Sequence, residues 1–120
     1  MKIAISASGP DLDARVDPRF GRAPFFLIVD TETGEFEAVP NRMNLMAPQG
    51  AGIQAAALVA RYKPAAVLTG HCGPKAFYTL EAAGIKVIVG VEGSAREAVQ
   101  NFKAGKFKSA SSPDVVGHWR

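Results

Sequence analysis

Apolar and polar positions change their spacing along this chain, and each change marks an element. Lys2 to Ala7 reads as a first strand, and Phe25-Phe26-Leu27-Ile28-Val29 is a dense second one. Between them Asp11 to Pro24 is polar, holds two prolines and Gly21, and reads as an irregular loop. Asp30-Thr31-Glu32-Thr33-Gly34 is turn chemistry, and Glu35 to Val39 returns as the second arm of a hairpin. Asn41 to Gly50 is a further loop. From Ala51 the period becomes helical, with Ile53, Ala57 and Ala60 expected on the inward face beside Ala56. Ala65 to Leu68 is a short buried strand. Phe77, Leu80, Ala76 and Ala83 outline a second helix, stopped by Gly84 at the C′ position. Lys86 to Val89 is another strand. Ser94-Ala95-Arg96-Glu97 is a capping box that opens a third helix, with Ala95, Ala98, Val99 and Phe102 inward and Gly105 past its end.

The resulting order is βββαβαβα. Repeated strand–helix–strand units require parallel strands with right-handed crossovers, and the hairpin adds an antiparallel edge. The expected architecture is one mixed, mostly parallel sheet with three helices on its faces. A single domain covers 1–106, and 107–120 is expected to be a flexible tail ending in Gly117-His118-Trp119-Arg120.

The 120 residues and 12.7 kDa suit one domain, and 48% hydrophobic with 21% charged residues is ordinary globular usage. One cysteine excludes an internal disulfide. The apolar start, Met1 to Ser6, is too short for a signal peptide or a membrane span, so a reduced, cytoplasmic protein is expected. A formal charge of +3 and a pI near 9.2 are mildly basic. Arg15, Arg19 and Arg22 form one cationic group and Lys103, Lys106 and Lys108 another. Such groups attract a phosphate, an acidic partner or an anionic cofactor without choosing among them.

Ligands of open α/β sheets collect beyond the carboxyl ends of the parallel strands. Three glycine-bearing loops leave such ends: Ser8-Gly9-Pro10, Gly70 to Pro74, and Gly90 to Ser94. The middle one, "TGHCGPKAF" at 69–77, is the richest. Pro74 suits the first helical position, where a missing N–H costs nothing. The amides of Lys75, Ala76 and Phe77 then face out of a helix start carrying about half a positive charge, and Lys75 adds a full one. Cys72 in that field favours the thiolate. Two readings stand for this loop. One is a plain strand-to-helix turn with a spare thiol; the other is a site for a metal-containing anion.

Other chemistries fit poorly. Gly50-Ala51-Gly52-Ile53-Gln54-Ala55 matches a relaxed dinucleotide fingerprint, but it follows a polar loop, and Thr69 and Gly70 stand where the ribose-binding acid belongs. His71 and Cys72 are adjacent and point apart when extended, and no third group is evident to orient an imidazole for nucleophilic catalysis. The first strand carries no carboxylate for two-metal chemistry, and the aromatics fall where a core needs them, against nucleic-acid reading. One Cys and two His fall short of a closed zinc set. Met43 and Met46 offer soft ligands for copper(I), although loop methionines more often pack. A site here suits a preformed anionic cluster held by charge and backbone amides.

"MKIAISAS" at the start, "DPRFGRAPFFLIVDTETGE" at 17–35, "GAGIQAAALVA" at 50–60, "TGHCGPKAF" at 69–77 and "LEAAGIKVIVG" at 80–90 together resemble the dinitrogenase iron–molybdenum cofactor biosynthesis family, in order from Met1 to Lys106. The resemblance implies a ribonuclease H-like α/β fold and the binding or delivery of a thiometallate cluster without catalysis. For a compact single-domain member it implies a molybdenum–copper sulfide cluster, with an iron–molybdenum–sulfur cluster as the alternative, since no radical-enzyme cysteine motif accompanies these residues. It maps the family's "FGRAP" onto Phe20 to Pro24, "GAG" onto Gly50 to Gly52 and "G-x-x-G-P" onto Gly70 to Pro74. His71 and Cys72 stand at variable positions of that loop, so the resemblance assigns them no ligand role.

The expected site then draws charge from Arg19, Arg22 and Lys75, and amides from around Gly50, Gly52, Gly70, Gly73 and Pro74. Met43, Met46 and Ile53 supply a soft wall, with Cys72 and His71 as candidate metal ligands. Expected partners are the anionic metal–sulfide cluster and proteins that donate or accept it, with no membrane and no nucleic acid. The competing expectation is a regulatory or scaffold module whose basic face binds an acidic protein.

Overall fold

A computed structural model describes residues 1–41 and 51–113. Met43, Met46 and Gly50 and the stretch Gly117-His118-Trp119 of the expected tail lie outside the described residues. The elements follow the expected order: β1 (Lys2–Ala7), β2 (Phe25–Asp30), β3 (Phe36–Pro40), α1 (Ala51–Ala60), β4 (Ala66–Leu68), α2 (Pro74–Ala82), β5 (Lys86–Ile88) and α3 (Ala95–Lys103).

The five strands form one sheet in the order β3-β2-β1-β4-β5. β1 pairs parallel with β4 and antiparallel with β2, so the sheet is divided evenly between the two pairings instead of being mostly parallel. The β2–β3 hairpin supplies the antiparallel edge, as expected, and pairs with the central strand β1.

Period-two alternation in β1 sorts its side chains onto two cores. Ile3, Ile5 and Ala7 join Leu27, Val29, Leu68 and Ile88 under Ala95 and Ala98 of α3. Ala4 joins Phe26, Ile28, Val67 and Val87 under α1 and α2, which supply Ala55, Ala56, Val59, Phe77 and Leu80. The molecule is a three-layer α/β/α stack with two helices on one face and one on the other.

α1 turns a different face inward from the one expected. Ala51, Ala55, Ala56 and Val59 are buried, whereas Ile53 is 43% exposed and Ala57 is exposed as well. The physical reason is close approach. A Cβ on Gly52 would lie 3.2 Å from the Ala76 Cβ, so α1 meets α2 through its smallest residues and its one large aliphatic side chain near the start turns outward. Ala83 also falls outside its helix and is exposed.

The end signals behave as their chemistry requires. Gly84 and Gly105 sit past α2 and α3 with φ of 78° and 72°. The Ser94 hydroxyl accepts from the Glu97 amide at 3.1 Å, and the Glu97 carboxylate accepts from the Ser94 amide at 2.9 Å. The Ser94 amide, and after it the Ser94 hydroxyl at 3.2 Å, donate to the Glu97 carboxylate and hold it below its ordinary 4.5. A depressed carboxyl contributes stability above its unfolded value, and that contribution is lost as pH falls through the folded one. Loss of the N-cap hydroxyl in Ser94→Ala should cost about 1 kcal/mol at neutral pH, and less in acid once Glu97 is protonated, a comparison that urea melts at neutral and acidic pH will check.

Past α1, Lys63 takes φ of 52°, the one positive φ outside glycine among the described residues. A left-handed backbone costs a side-chain-bearing residue roughly 1–2 kcal/mol, against about 0.5–1 for glycine's lost freedom. Lys63→Gly should accordingly stabilise the fold by roughly 0.5–1 kcal/mol, a rise in Tm of about 2–4 °C by calorimetry. Beyond α3, Phe107 packs on the core under that helix and the Ala110 amide donates to the Val87 carbonyl at 2.6 Å. The first residues of the expected tail thus return along β5.

Candidate functional site

Ser6 is the last but one residue of β1 and Thr69 follows β4, and both are fully buried polar residues at the carboxyl edge of the sheet. Their hydroxyl oxygens lie 2.7 Å apart, and Ser6 Oγ donates to the Asp17 carbonyl at 2.8 Å. A serine hydroxyl has one proton, so Thr69 donates to Ser6 and Ser6 to the chain of Asp17. The Asp17 amide returns a hydrogen bond to the Ser6 carbonyl at 2.8 Å. The polar loop between β1 and β2 is thereby pinned across the strand ends as a strap.

The strap seals one helix start and leaves another open. At α3, the Ala95 and Arg96 amides donate to the Ala14 and Leu12 carbonyls, each at 2.8 Å, and the capping box takes the Glu97 amide. That terminus is spent. At α2 the cap residue is Gly73, which makes no side-chain cap, and Pro74 has no N–H. The Phe77 amide donates to the Gly73 carbonyl at 2.9 Å and closes the first turn, so it does not face outward as expected. Lys75 and Ala76 carry the remaining amides of this first turn, the former exposed and the latter buried against Gly52.

Glycines let three segments meet there. The Gly52–Ala76 contact sets the starts of α1 and α2 side by side. A Cβ on Gly21 would lie 3.0 Å from the Gly52 nitrogen and 3.1 Å from its Cα, so the strap rides directly on the first turn of α1. On the other flank the His71 amide donates to the Pro18 carbonyl at 2.8 Å and the Phe20 amide to the His71 carbonyl at 3.2 Å. A Cβ on Gly70 would lie 2.6 Å from Pro18 Cα. The sequence stretches 18–22, 51–53 and 70–76 therefore form one continuous surface. Two helix starts, each with a partial positive charge, converge under it.

The candidate side chains are not equivalent. Lys75 is exposed and makes no ion pair with another described residue. Arg22 is half-buried on the strap. Arg19 is held at its base: its amide donates to Asp17 Oδ1 at 2.9 Å, and its Nε lies 3.7 Å from the same oxygen. Asp17 is 6% exposed, so a nearly buried carboxylate offsets part of the Arg19 charge. Asp17, Ser6 and Thr69 were not among the sequence candidates, although a polar residue at the end of each apolar strand run was the available signal. Gly21 was legible as a loop residue and as part of the "FGRAP" run, without its contact to Gly52.

Cys72 is 1% exposed and packs in the core with Phe20, Ala76 and Phe77, its sulfur 3.7 Å from the Gly73 oxygen. His71 is half-buried and joins the surface through its backbone pairing with Arg19. Ile53 lies on the outer face of α1, at the margin of the surface. Among the described residues no three His, Cys, Asp or Glu side chains gather as a metal-ion site, and no helix is long and apolar enough to cross a membrane. The surface offers amides and cations, the donor set for an anion.

The model of the dinitrogenase iron–molybdenum cofactor family matches residues 1–105. An uncharacterized protein of Methanocaldococcus jannaschii is 32% identical over 111 residues, 90% of each chain. Among solved structures, the apo form of the orange protein from Desulfovibrio gigas is 46% identical, with a TM-score of 0.93 over 95% of this chain and 96% of that one. A NifB-type protein from Thermotoga, solved by NMR, is 31% identical with a TM-score of 0.79 over 95% and 98%. The family match spans residues 1–105, and this chain belongs to the dinitrogenase iron–molybdenum cofactor family.

Proposed function

We propose that this protein binds and carries an anionic metal–sulfide cluster at the surface formed by the strap and the starts of α1 and α2, and does no chemistry on it. The observation that carries the reading is the Gly52–Ala76 contact, which sets two helix N-termini side by side beside Lys75 and under Arg22. A cluster edged by several sulfides is larger than one phosphate, and two adjacent helix starts suit its spread-out charge. Membership of a cofactor family and 46% identity to a protein solved in an apo form support the same reading.

The cargo we favour is a molybdenum–copper sulfide cluster, with an iron–molybdenum–sulfur cluster as the alternative. The Lys75 and Ala76 amides hydrogen-bond sulfides, Lys75 and Arg22 supply charge, and Arg19 supplies less than Lys75 because Asp17 opposes it. Cys72 then serves packing and not ligation, in keeping with its burial. The protein works in the cytoplasm, between a donor and an acceptor of the cluster. The ribonuclease H-like grouping belongs with this reading and draws support from the strand order β3-β2-β1-β4-β5.

Anaerobic incubation of the protein with tetrathiomolybdate and copper(I), followed by desalting, tests the proposal. A coloured protein fraction with stoichiometric molybdenum, copper and sulfide, absent from an equally basic control protein, is the expected result. A folded protein that keeps no metal overturns it.

A further inference from the structure

The pole of the molecule opposite the cargo surface has its own charge pattern. Helices of a parallel α/β unit run against the strands, so their carboxyl ends and the strand starts share one edge. Here that edge collects Lys2, Arg61, Lys63, Lys86, Lys103 and Lys106, six of the chain's 14 cations, and all six are exposed. Backbone bonds bring these ends together: the Ala65 amide donates to the Lys2 carbonyl at 2.8 Å and the Lys86 amide to the Ala65 carbonyl at 3.1 Å. The return of Ala110 to Val87 brings the segment after α3 to the same strand.

Two observations set this edge apart from an ordinary solvated face. Among the described residues none of the six makes an ion pair, and Glu81 is the one acid on the helix ends that feed it. Lys63 moreover occupies the left-handed position past α1, where the other positive-φ positions, from Gly34 to Gly105, are all glycine. A strained lysine kept where glycine is cheaper points to a use for its charge.

The neighbouring ground decides which anion fits. Asp30, Glu32, Glu35 and Glu37 of the β2–β3 hairpin lie beside the cationic patch, and Asp30 is the register partner of Lys2. A nucleic acid or an anionic membrane spreads negative charge well beyond the patch and meets those carboxylates. A compact acidic patch does not.

We propose that the Lys63–Lys86–Lys103 face is a docking surface for an acidic patch on a partner protein. Partner and cargo then occupy opposite poles, so the partner can hold this protein without covering the cargo surface. The inference stands whether or not the cargo reading does.

Titration of the full-length ¹⁵N-labelled protein with a 12-residue Glu/Asp peptide tests it, alongside a DNA duplex and phosphatidylglycerol vesicles. Peptide-induced shifts should centre on residues 61–65, Lys86 and 103–106, and K86E/K103E should weaken peptide binding at least tenfold at low salt. The same variant should keep its Tm and its retention of the thiomolybdate–copper cargo. Shifts centred on Arg19–Arg22 and Lys75 instead, unchanged binding in the variant, or tighter binding of DNA or vesicles at the same residues would each overturn the proposal.

Discussion

Gly70→Ala will lower the melting temperature by about 10 °C and loosen cargo binding, although it adds one methyl group at a buried position. The new Cβ would stand 2.6 Å from Pro18 Cα, 2.9 Å from its oxygen and 3.1 Å from its carbonyl carbon. All three are backbone atoms, so no side chain can swing aside and the strap itself has to move. It is fastened at that point by the His71 amide to the Pro18 carbonyl and the Phe20 amide to the His71 carbonyl. Losing two buried backbone hydrogen bonds at about 1 kcal/mol each, with some overpacking strain, gives roughly 2–3 kcal/mol. For a domain of this size that corresponds to about 10 °C. The displaced strap carries Arg19 and Arg22, so cargo retention should fall in the same variant. A calorimetric Tm within 2 °C of the parent would show that the strap yields freely and that Gly70 is not its anchor.

Arg22→Ala combined with Lys75→Ala should weaken retention of the thiomolybdate–copper cargo by roughly thirty- to a hundred-fold at low salt. Each charge faces the anion across a partly exposed surface, where a contact is worth about 1–1.5 kcal/mol, and each 1.4 kcal/mol is tenfold. The loss should shrink in 0.5 M salt, because screening weakens the parent as well. Arg19→Ala should do less than Lys75→Ala, since the Asp17 carboxylate already opposes the Arg19 charge. Equilibrium dialysis of the four proteins at two salt concentrations checks the order. Equal retention by all four would remove the charge clamp from the account.

Much of this architecture can be read from local sequence, because local chemistry decides it. The C′ glycine at Gly84, the Ser94–Glu97 box and Pro74 at a helix start are short-range signals, and each holds. The segments that form the candidate surface were legible as glycine-bearing loops at strand ends. Their assembly was not, since it rests on contacts between Pro18 and Gly70 and between Gly21 and Gly52, far apart in the chain. The same strap seals α3, so the third candidate loop, Gly90 to Ser94, cannot offer that helix start to a ligand. α1 misleads for another reason. In a helix rich in alanine one isoleucine dominates the apparent apolar face, while the true interface is chosen by how closely Gly52 lets α2 approach. The burial of Cys72 was not legible either: its neighbours in the chain are loop residues, yet its side chain fills the core beside Phe20 and Phe77.

The most direct test of the central claim is an amide map of the ¹⁵N-labelled protein before and after it takes up the thiomolybdate–copper cluster. The account predicts shifts or broadening concentrated at 19–22, 51–53 and Gly70 to Ala76, with the start of α3 and the Lys86 edge unchanged. Uptake with changes centred on α3 or the β2–β3 hairpin, or no change at the two adjoining helix starts, would contradict it.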